Sequence, residues 1–183
     1  MESSTTYQSE LSLANRLVRL LWGIVSMVLF RPTPRVFHGW RCWLLRLFGA
    51  KIGRGVKIYA STRVWAPWLL TVEDRAIIGD HVDCYCVAPI LIKQAAVISQ
   101  GSSLCAATHD HRSRDFTLIP KPITIGREAW VAARAFVGPG VTVGDEAVVG
   151  ACCVVFRDVK PGNVVIGNPS RVVAESRWKT NEA

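Results

Sequence analysis

The sequence predicts an all-β solenoid of short parallel strands preceded by a helical segment, and three observations predict this fold class. Branched aliphatic residues recur every six positions over most of the 183 residues. The residue after each of them is often Gly or Ala, and the first fifty residues show helical spacing instead. A period of six fits neither an α-helix nor an ordinary amphipathic strand, but it fits coils that stack on one another.

Two short amphipathic helices are predicted within the N-terminal segment, residues 1–50. Apolar residues fall at helical spacing over 17–28 and again over 37–48, and a Pro-Thr-Pro sequence separates the two patterns. The longest nearly unbroken apolar run, residues 20–30, is shorter than the roughly 20 residues of a bilayer span, so no transmembrane helix is predicted. A signal peptide is not predicted either, because a polar, acidic start precedes the run and Arg31-Pro32 follows it.

The net charge and its distribution limit the classes of partner that the chain is expected to bind. There are 22 Lys and Arg against 14 Asp and Glu, a formal net charge of +8. The basic residues between positions 16 and 51 are interleaved with Leu, Trp and Phe, which favours a helical face or an acidic membrane surface over a nucleic-acid groove. We therefore expect no nucleic-acid partner. Packing of the helices on the protein's own body is the favoured interpretation, and peripheral contact with a membrane interface is the alternative.

The repeat units are hexads with a branched aliphatic residue, or occasionally Cys, in first position. First positions are Ile52, Ile58, Val64, Val72, Ile78, Cys84, Ile92, Ile98, Leu104, Ile125, Val131, Val137, Val143, Val149 and Val155. The register slips by two residues before Val72 and again before Ile92. We expect the first residue of each hexad to point inward, each coil to bury the one below it, and Gly to lie where the turn needs unusual φ and ψ.

The six cysteines do not indicate disulfides. No C-x-x-C sequence occurs, and five of the cysteines lie among small apolar residues: Cys84, Cys86, Cys105, Cys152 and Cys153. Buried free thiols in a reducing compartment are therefore expected, which favours a cytoplasmic protein.

The hexad period breaks at a histidine. Leu104 and Ile125 are 21 residues apart, three hexads plus three, so a loop leaves the coil there and returns. Loops on a rigid scaffold often carry chemistry, and His109 lies at the base of this one, which makes it the acid–base candidate. Asp110 orients an imidazole or simply starts a turn, with neither favoured. His111 contacts an acceptor molecule or, as is commoner for loop residues, only solvent.

Three longer stretches carry a resemblance to a known family. They are LLRLFGAKIG at 44–53, ISQGSSLC at 98–105 and AWVAARAFVGPGVTVG at 129–144. With the recurring Ile-Gly-x-x-Ala/Val-x unit, they resemble the hexapeptide-repeat acyltransferases, in the branch of the colanic-acid or exopolysaccharide biosynthesis acetyltransferases. Galactoside and maltose acetyltransferases are more distant relatives. The resemblance implies a left-handed parallel β-helix over residues 51–173 with a loop at 110–124, a tail at 174–183, and a homotrimer whose sites are each built from two subunits.

The activity that the resemblance implies is O-acetyl transfer. The acetyl group would pass directly from acetyl-CoA to a hydroxyl of a sugar or glycan intermediate of polysaccharide biosynthesis, with His109 as general base and no metal. Tyr85 would contact the acceptor, although a merely packed Tyr85 is an equal alternative. Related sequences often carry Asn near position 86, where this chain has Cys86, so the acceptor is expected to differ.

The donor site also follows from the resemblance. Ala132, Ala133 and Ala151 match the family's small residues along the pantetheine arm of CoA, and Trp130 matches an aromatic near its acyl end, with a core role as the alternative. The family's cations for the CoA phosphates match Arg157, Lys160 and Arg171, each of which is equally well explained as a solvated surface charge.

Other functions fit the sequence less well. One alternative keeps the fold and changes the acceptor to a non-sugar hydroxyl or an amine. A second is a zinc hydratase that uses His81, His109 and His111, but their spacing does not match the ligand spacing of β-helical carbonic anhydrases. A third is a non-catalytic scaffold, which the presence of His109 disfavours.

Overall fold

The structure is a computed structural model that describes residues 13–175. It confirms the predicted left-handed parallel β-helix, which makes about six turns, with a helical segment at its N-terminal end. Residues 1–12 and residues 176–183 of the predicted tail lie outside the described residues.

The strands form the three faces of a triangular solenoid and are numbered in chain order. Face A contains β1 (Lys51–Ile52), β4 (Leu70–Val72), β7 (Ile90–Ile92), β12 (Ile123–Ile125) and β15 (Thr142–Val143). Face B contains β2 (Lys57–Ile58), β5 (Ile77–Ile78), β8 (Val97–Ile98), β13 (Trp130–Val131), β16 (Val148–Val149), β18 (Val164–Ile166) and β19 (Arg171–Ala174). Face C contains β3 (Arg63–Val64), β6 (Asp83–Tyr85), β9 (Ser103–Cys105), β14 (Phe136–Val137) and β17 (Val154–Val155). Within these three faces all pairs are parallel except β18 with β19.

The first residue of the hexads forms the core, as the sequence predicts. Fourteen of the fifteen first-position side chains are buried, and the remaining one, Ile52, is half-buried. Successive coils pair in register, so that Ile78 lies beside Ile98 and Ile98 beside Val131. The core is therefore a stack of aliphatic layers, and each layer covers the one before it.

The unusual backbone conformation lies at the fourth position of the hexads, and the prediction that Gly marks it is only partly right. Positive φ occurs at Gly55, Arg75, His81, Ala95, Gly101, Glu128, Arg134, Gly140, Glu146 and Cys152. Most of these are not Gly, although a positive φ is strained for other residues. At seven of these ten positions the amide donates to the carbonyl of the third hexad residue one coil earlier, as from Glu146 N to Arg127 O at 2.7 Å and from Ala95 N to Asp74 O at 2.9 Å. The amide of His81 donates to Ser61 Oγ instead.

Glycine at the second position has a different cause, the close approach of the next coil. A Cβ on Gly144 would lie against Pro161 N and 2.7 Å from Pro161 Cα, closer than side-chain atoms normally approach backbone. Small residues at this position are therefore required by the stacking distance rather than by φ.

All three irregularities of the repeat lie on one edge of the prism, between face C and face A. The two-residue slips follow Val64 and Cys84, and the first of them contains the 3-10 turn Pro67–Leu69. The third irregularity, after β9, holds an antiparallel hairpin of β10 (Ala107–His109) and β11 (Leu118–Pro120). Within the predicted loop, β11 pairs with β10, and β12 begins at Ile123.

The N-terminal segment contains α1 (Leu13–Val25), which continues through a π-helical turn (Ser26–Phe30), and α2 (His38–Leu47). Together the first two form an 18-residue helix, Leu13–Phe30, which is long and apolar enough to cross a membrane by length and composition, with a mean hydropathy of 1.6. The prediction based on the shorter run 20–30 therefore underestimated its length. Only 11% of this stretch is buried.

The two helices attach to the solenoid in different ways. Helix α2 packs on it through Cys42, Leu44 and Leu45, as expected. The helix Leu13–Phe30 is held mainly by Trp22, whose Nε1 donates to Val64 O at 2.7 Å, and by Phe30. Most of its other apolar side chains are exposed, so the favoured prediction that they pack on the protein's own body is wrong for this helix.

We expect Gly144→Ala to lower the free energy of unfolding by about 2 kcal/mol, because the added methyl overpacks the contact with Pro161. Gly23→Ala is the matched control, since nothing lies within 4 Å of a Cβ there; it should raise the free energy of unfolding by up to about 1 kcal/mol through helix propensity. Urea unfolding followed by circular dichroism measures both changes. A Gly144→Ala protein as stable as wild type would contradict the stacking argument.

Candidate active site

The hairpin β10–β11 leaves the edge between faces C and A and carries His109 as the last residue of β10. His109 pairs with Leu118 across the hairpin, and Lys121 N donates to Ala106 O at 2.9 Å where the hairpin closes. The neighbouring backbone is also bonded, since Asp110 N donates to Thr117 O at 2.8 Å. The backbone around His109 is therefore fixed by the hairpin ladder.

The imidazole of His109 is oriented by Phe116, a residue that the sequence analysis did not single out. Nδ1 of His109 lies 2.8 Å from Phe116 O. The two rings stack with centroids 4.4 Å apart and an interplanar angle of 9°. Because a carbonyl oxygen only accepts hydrogen bonds, Nδ1 must carry the proton in the neutral ring, and the lone pair lies on Nε2. This is the tautomer that suits a general base acting through Nε2.

Phe116 holds this position at a conformational cost. Its φ is +47°, in the left-handed region that phenylalanine rarely adopts. Its amide donates to Ser113 O at 3.2 Å, which closes the tip of the hairpin. Phe116 therefore both supplies the carbonyl and stacks on the histidine. The only signal in the sequence is a lone aromatic residue in a polar loop.

Asp110 and His111 have different surroundings. Asp110 Oδ1 accepts from Arg112 N at 2.9 Å, so its carboxylate starts the turn. The Nδ1 atom of His109 contacts Phe116 O. His111 is exposed at the tip of the hairpin.

Tyr85 lies on face C beside the edge from which the hairpin leaves. It pairs with Cys105 on the next coil, and Ala106 N donates to Tyr85 O at 3.2 Å. Its ring is half-buried and meets Trp65 edge-on, with centroids 5.5 Å apart. Cys86 is fully buried instead, with Sγ directed to Cys84 O at 3.2 Å. The residue at position 86 therefore contributes no surface that an acceptor molecule could reach.

The predicted donor residues on the second half of the solenoid lie on face B and on the edge between faces B and C. Trp130 is 41% exposed and donates to Ser99 Oγ at 2.8 Å, so it is not a core residue. Ala132 is buried, Ala133 is half-buried and Ala151 is exposed. Cys152 N donates to Ala133 O at 2.9 Å and so connects the two alanine turns.

The three predicted phosphate ligands are exposed but scattered. Arg157 follows β17 on the edge between faces C and A, Lys160 follows Val159 on the edge between faces A and B, and Arg171 begins β19. Within one chain, the structure therefore does not gather these three cations or bring the alanine turns to the edge that carries His109.

The six cysteine thiols differ in burial more than the sequence suggests. All six cysteines are free, and burial raises the pKa of Cys86 to about 12 and that of Cys84 well above its usual value. Cys105 is half-buried, and Cys152 is exposed, so the expectation of a buried thiol is wrong for Cys152.

The histidines of the zinc alternative do not converge. His81 lies on the edge between faces B and C, whereas His109 lies on the edge between faces C and A. Among residues 13–175, no group of three or more His, Cys, Asp or Glu side chains is arranged to hold a metal ion.

Comparison with known proteins gives concordant results. The profile of the bacterial transferase hexapeptide family (six repeats) matches residues 122–157. Over 156 residues the chain is 48% identical to a protein of Escherichia coli strain K12 named as the colanic acid biosynthesis acetyltransferase WcaF, and the match covers 85% of each. It is 31% identical over 123 residues to the galactoside O-acetyltransferase of the same strain, covering 66% of this chain and 55% of that enzyme.

A solved structure shares the fold. The hexapeptide-repeat-containing acetyltransferase of Vibrio cholerae O1 biovar eltor, complexed with acetyl coenzyme A, superposes with a TM-score of 0.80 over 91% of each chain, at 23% sequence identity.

We expect Phe116→Ala to disturb the tautomer of His109, because the stacked ring keeps the carbonyl against Nδ1. Aromatic stacking contributes roughly 1 kcal/mol, so the ratio of the Nδ1–H to the Nε2–H form should fall about fivefold. Long-range proton–nitrogen NMR spectra of the imidazole measure this ratio. Phe116→Tyr should retain it, and Phe156→Ala, which removes an exposed ring elsewhere, is the control. An unchanged ratio in Phe116→Ala would refute the positioning role.

Proposed function

The chain belongs to the hexapeptide-repeat acetyltransferases, in the branch of the colanic acid biosynthesis acetyltransferases, and on that premise we propose its reaction. The chain transfers an acetyl group from acetyl-CoA to a hydroxyl of a sugar or glycan intermediate in polysaccharide biosynthesis. The observation that carries this proposal is the orientation of His109 by Phe116 O on the edge hairpin. A relative complexed with acetyl coenzyme A and a relative named for galactoside acetylation support the choice of donor and acceptor.

The chemical step uses His109 as general base. Nε2 takes the proton of the acceptor hydroxyl while its oxygen attacks the thioester carbonyl carbon, a contribution of about 10²- to 10⁴-fold in rate. The tetrahedral intermediate, with its oxyanion held by a backbone N–H, collapses to the acetyl ester and the CoA thiolate. The imidazolium then returns its proton to that sulfur. Atoms and charges balance without an acyl-enzyme.

Phe116 supports both protonation states of the base. Its carbonyl accepts the Nδ1 proton in the neutral ring and in the imidazolium alike. Its phenyl ring lies parallel to the imidazole with centroids 4.4 Å apart. The hairpin therefore keeps the ring in one orientation while the proton moves.

The acceptor binds beside the hairpin, against face C. Tyr85 supplies an aromatic and hydroxyl surface one coil below the point from which the hairpin leaves. Asp110 and His111 complete the acceptor contacts from the hairpin side. Because the Asp110 carboxylate already accepts from Arg112 N, its contact would use the second carboxylate oxygen.

The donor lies along the small residues of the later coils. Trp130 flanks the acyl end, and the pantetheine arm runs past Ala132, Ala133 and Ala151, where small side chains expose backbone amides. Arg157, Lys160 and Arg171 bind the phosphates, to which guanidinium and ammonium groups are well suited.

This arrangement requires more than one chain. His109 and the alanine turns lie on different edges of the prism, with face C between them. A homotrimer of parallel solenoids would bring the hairpin edge of one chain to the alanine edge of its neighbour, as heterologous contacts that close into a ring do. The free thiols of all six cysteines fit a reducing, cytoplasmic setting for this enzyme.

We expect His109→Ala to lower kcat by about 10²- to 10⁴-fold, because the base is lost while the donor groove remains. The assay measures CoA release from acetyl-CoA with a thiol reagent across a panel of sugars and glycan intermediates. Blanks are needed because Cys152 is exposed. His111→Ala, two residues away in the same hairpin, is the matched control and should change kcat far less.

Three results of this assay are informative. Acceptor-dependent turnover that is lost only in His109→Ala supports the proposal. Turnover that survives in His109→Ala contradicts the role of the base. Turnover with amines but with no hydroxyl compound would replace O-acetylation by N-acetylation.

An active site built from two chains predicts that two inactive variants restore activity when they assemble together. Ala151→Trp adds bulk at an exposed turn and should block the donor groove without unfolding the chain. When it is co-expressed with His109→Ala in equal amounts, random assembly leaves about a quarter of the sites with both wild-type halves. Activity of the mixture near that fraction of wild type supports the trimer. An inactive mixture with mixed oligomers present would contradict it.

A further inference from the structure

The N-terminal segment carries most of the exposed apolar surface of the described residues. Of the twenty large hydrophobic side chains that are exposed in residues 13–175, fourteen lie between Leu13 and Leu47. Soluble monomers rarely expose contiguous apolar patches of this kind unless the patch binds something.

The helix Leu13–Phe30 turns a mixed face of polar and apolar residues toward the solenoid and leaves most of its apolar residues exposed. Its buried or half-buried residues are Asn15, Arg19, Trp22, Val25, Ser26 and Phe30. On the solenoid side, Arg19 lies over the ring of Trp65 at 4.2 Å and donates to Asn15 Oδ1. The opposite, exposed stripe is Leu13, Leu17, Leu20, Ile24, Met27 and Val28. This orientation would be costly in water, because it leaves a second apolar stripe in solvent on the side away from the core.

Helix α2 extends the same surface. Trp40 Nε1 donates to Leu29 O at 2.9 Å, which joins the outer side of α2 to the end of the first helix. Trp40 stacks on Trp43 with centroids 5.1 Å apart, and both indoles are exposed, as is Leu47 one turn further. Tryptophan favours places where one side is apolar and the other is wet, such as the headgroup region of a bilayer.

The charge around this surface is mostly positive. Residues 11–50 contain six arginines and no Asp or Glu. Arg41 is buried and Arg19 is half-buried, and the other four are exposed. Arg31, which directly follows the helix, is exposed. A cavity of about 340 Å³ between the helix and face C is lined by Arg19, Arg31 and Arg63, and the only acidic residue in its lining is Asp83. An apolar face with basic neighbours complements a bilayer interface, in which anionic headgroups cover an apolar interior.

We propose that the outer side of the helix Leu13–Phe30 and of α2, the apolar helical surface, binds an anionic lipid bilayer and lies in its interface. The apolar stripe enters the boundary between headgroups and acyl chains, and the flanking arginines contact lipid phosphates. This proposal is independent of the acceptor and of the role of His109.

The helix lies on the bilayer rather than across it. Trp22 is near its middle, is buried, and donates to Val64 O of the solenoid, and Phe30 at its end is buried as well. A spanning helix would have to strip both side chains from the solenoid and carry Arg19 into the hydrocarbon, which costs several kcal/mol. Its length of about 27 Å is also short of the ~30 Å hydrocarbon core.

The test is flotation of the full-length protein with vesicles of phosphatidylcholine alone or mixed with phosphatidylglycerol. We expect binding to the mixed vesicles that weakens at high salt and is weak with phosphatidylcholine alone. Leu20→Asp combined with Ile24→Asp should lower the affinity more than about tenfold. Both positions are exposed, so the fold should be unaffected. Val172→Asp combined with Val173→Asp is the matched control at the other end of the solenoid, also at exposed positions.

Each other outcome overturns the proposal. Absence of flotation with phosphatidylglycerol vesicles removes the bilayer as the partner. If the helix variant instead lowers the molecular mass in lipid-free solution, the surface is an interface between copies of this chain. Equal binding to neutral vesicles contradicts the anionic partner. Retention in the vesicles after alkaline carbonate extraction would mean that the helix spans the bilayer.

Discussion

The hydrogen bonding of each coil to the coil before it is the constraint on which the rest of this structure depends. Strands of two to four residues are too short to be stable as isolated pairs, so their pairing in register along three faces is what holds them. The same stacking stabilises a left-handed conformation at Glu146, because its amide reaches Arg127 O on the previous coil. It also sets the spacing that excludes a side chain at Gly144. The six-residue repeat in the sequence results from this stacking geometry.

Such a scaffold accepts extra residues only at its edges, where no strand pairing is interrupted. All three irregularities use the edge between faces C and A, and the largest is tied down at both of its ends. Lys121 N bonds Ala106 O where the hairpin closes, and Ile123 N bonds Pro89 O where the coil resumes. The backbone of a histidine at the base of this hairpin is therefore held by hydrogen bonds while its side chain remains partly accessible, which is what proton transfer at a fixed distance requires.

The sequence predicts the repeating parts of the molecule. It does not predict the features that depend on a single contact. The aliphatic layers and the position of the hairpin can be predicted from the six-residue period, because every coil has to pack on its neighbour in the same way. The partner of His109 does not, since Phe116 is brought to the imidazole by a turn whose shape no pattern encodes. Cys152 resembles its buried neighbour Cys153 in sequence, yet it occupies an edge position. The helical period of residues 17–28 reveals an apolar face but not whether that face looks inward.

The first helix is attached to the solenoid near the point from which the hairpin leaves. Trp22 attaches it to Val64 on face C, and two coils further along that face Leu104 leads into the hairpin. Since neighbouring parallel strands lie about 4.8 Å apart, the attachment and the exit of the hairpin are separated by about 10 Å along the solenoid. A bilayer held by the apolar helical surface would therefore run close to the edge that carries His109. An acceptor anchored in that bilayer would reach Tyr85 and the imidazole without leaving the membrane, whereas a freely diffusing acceptor would gain nothing from the attachment.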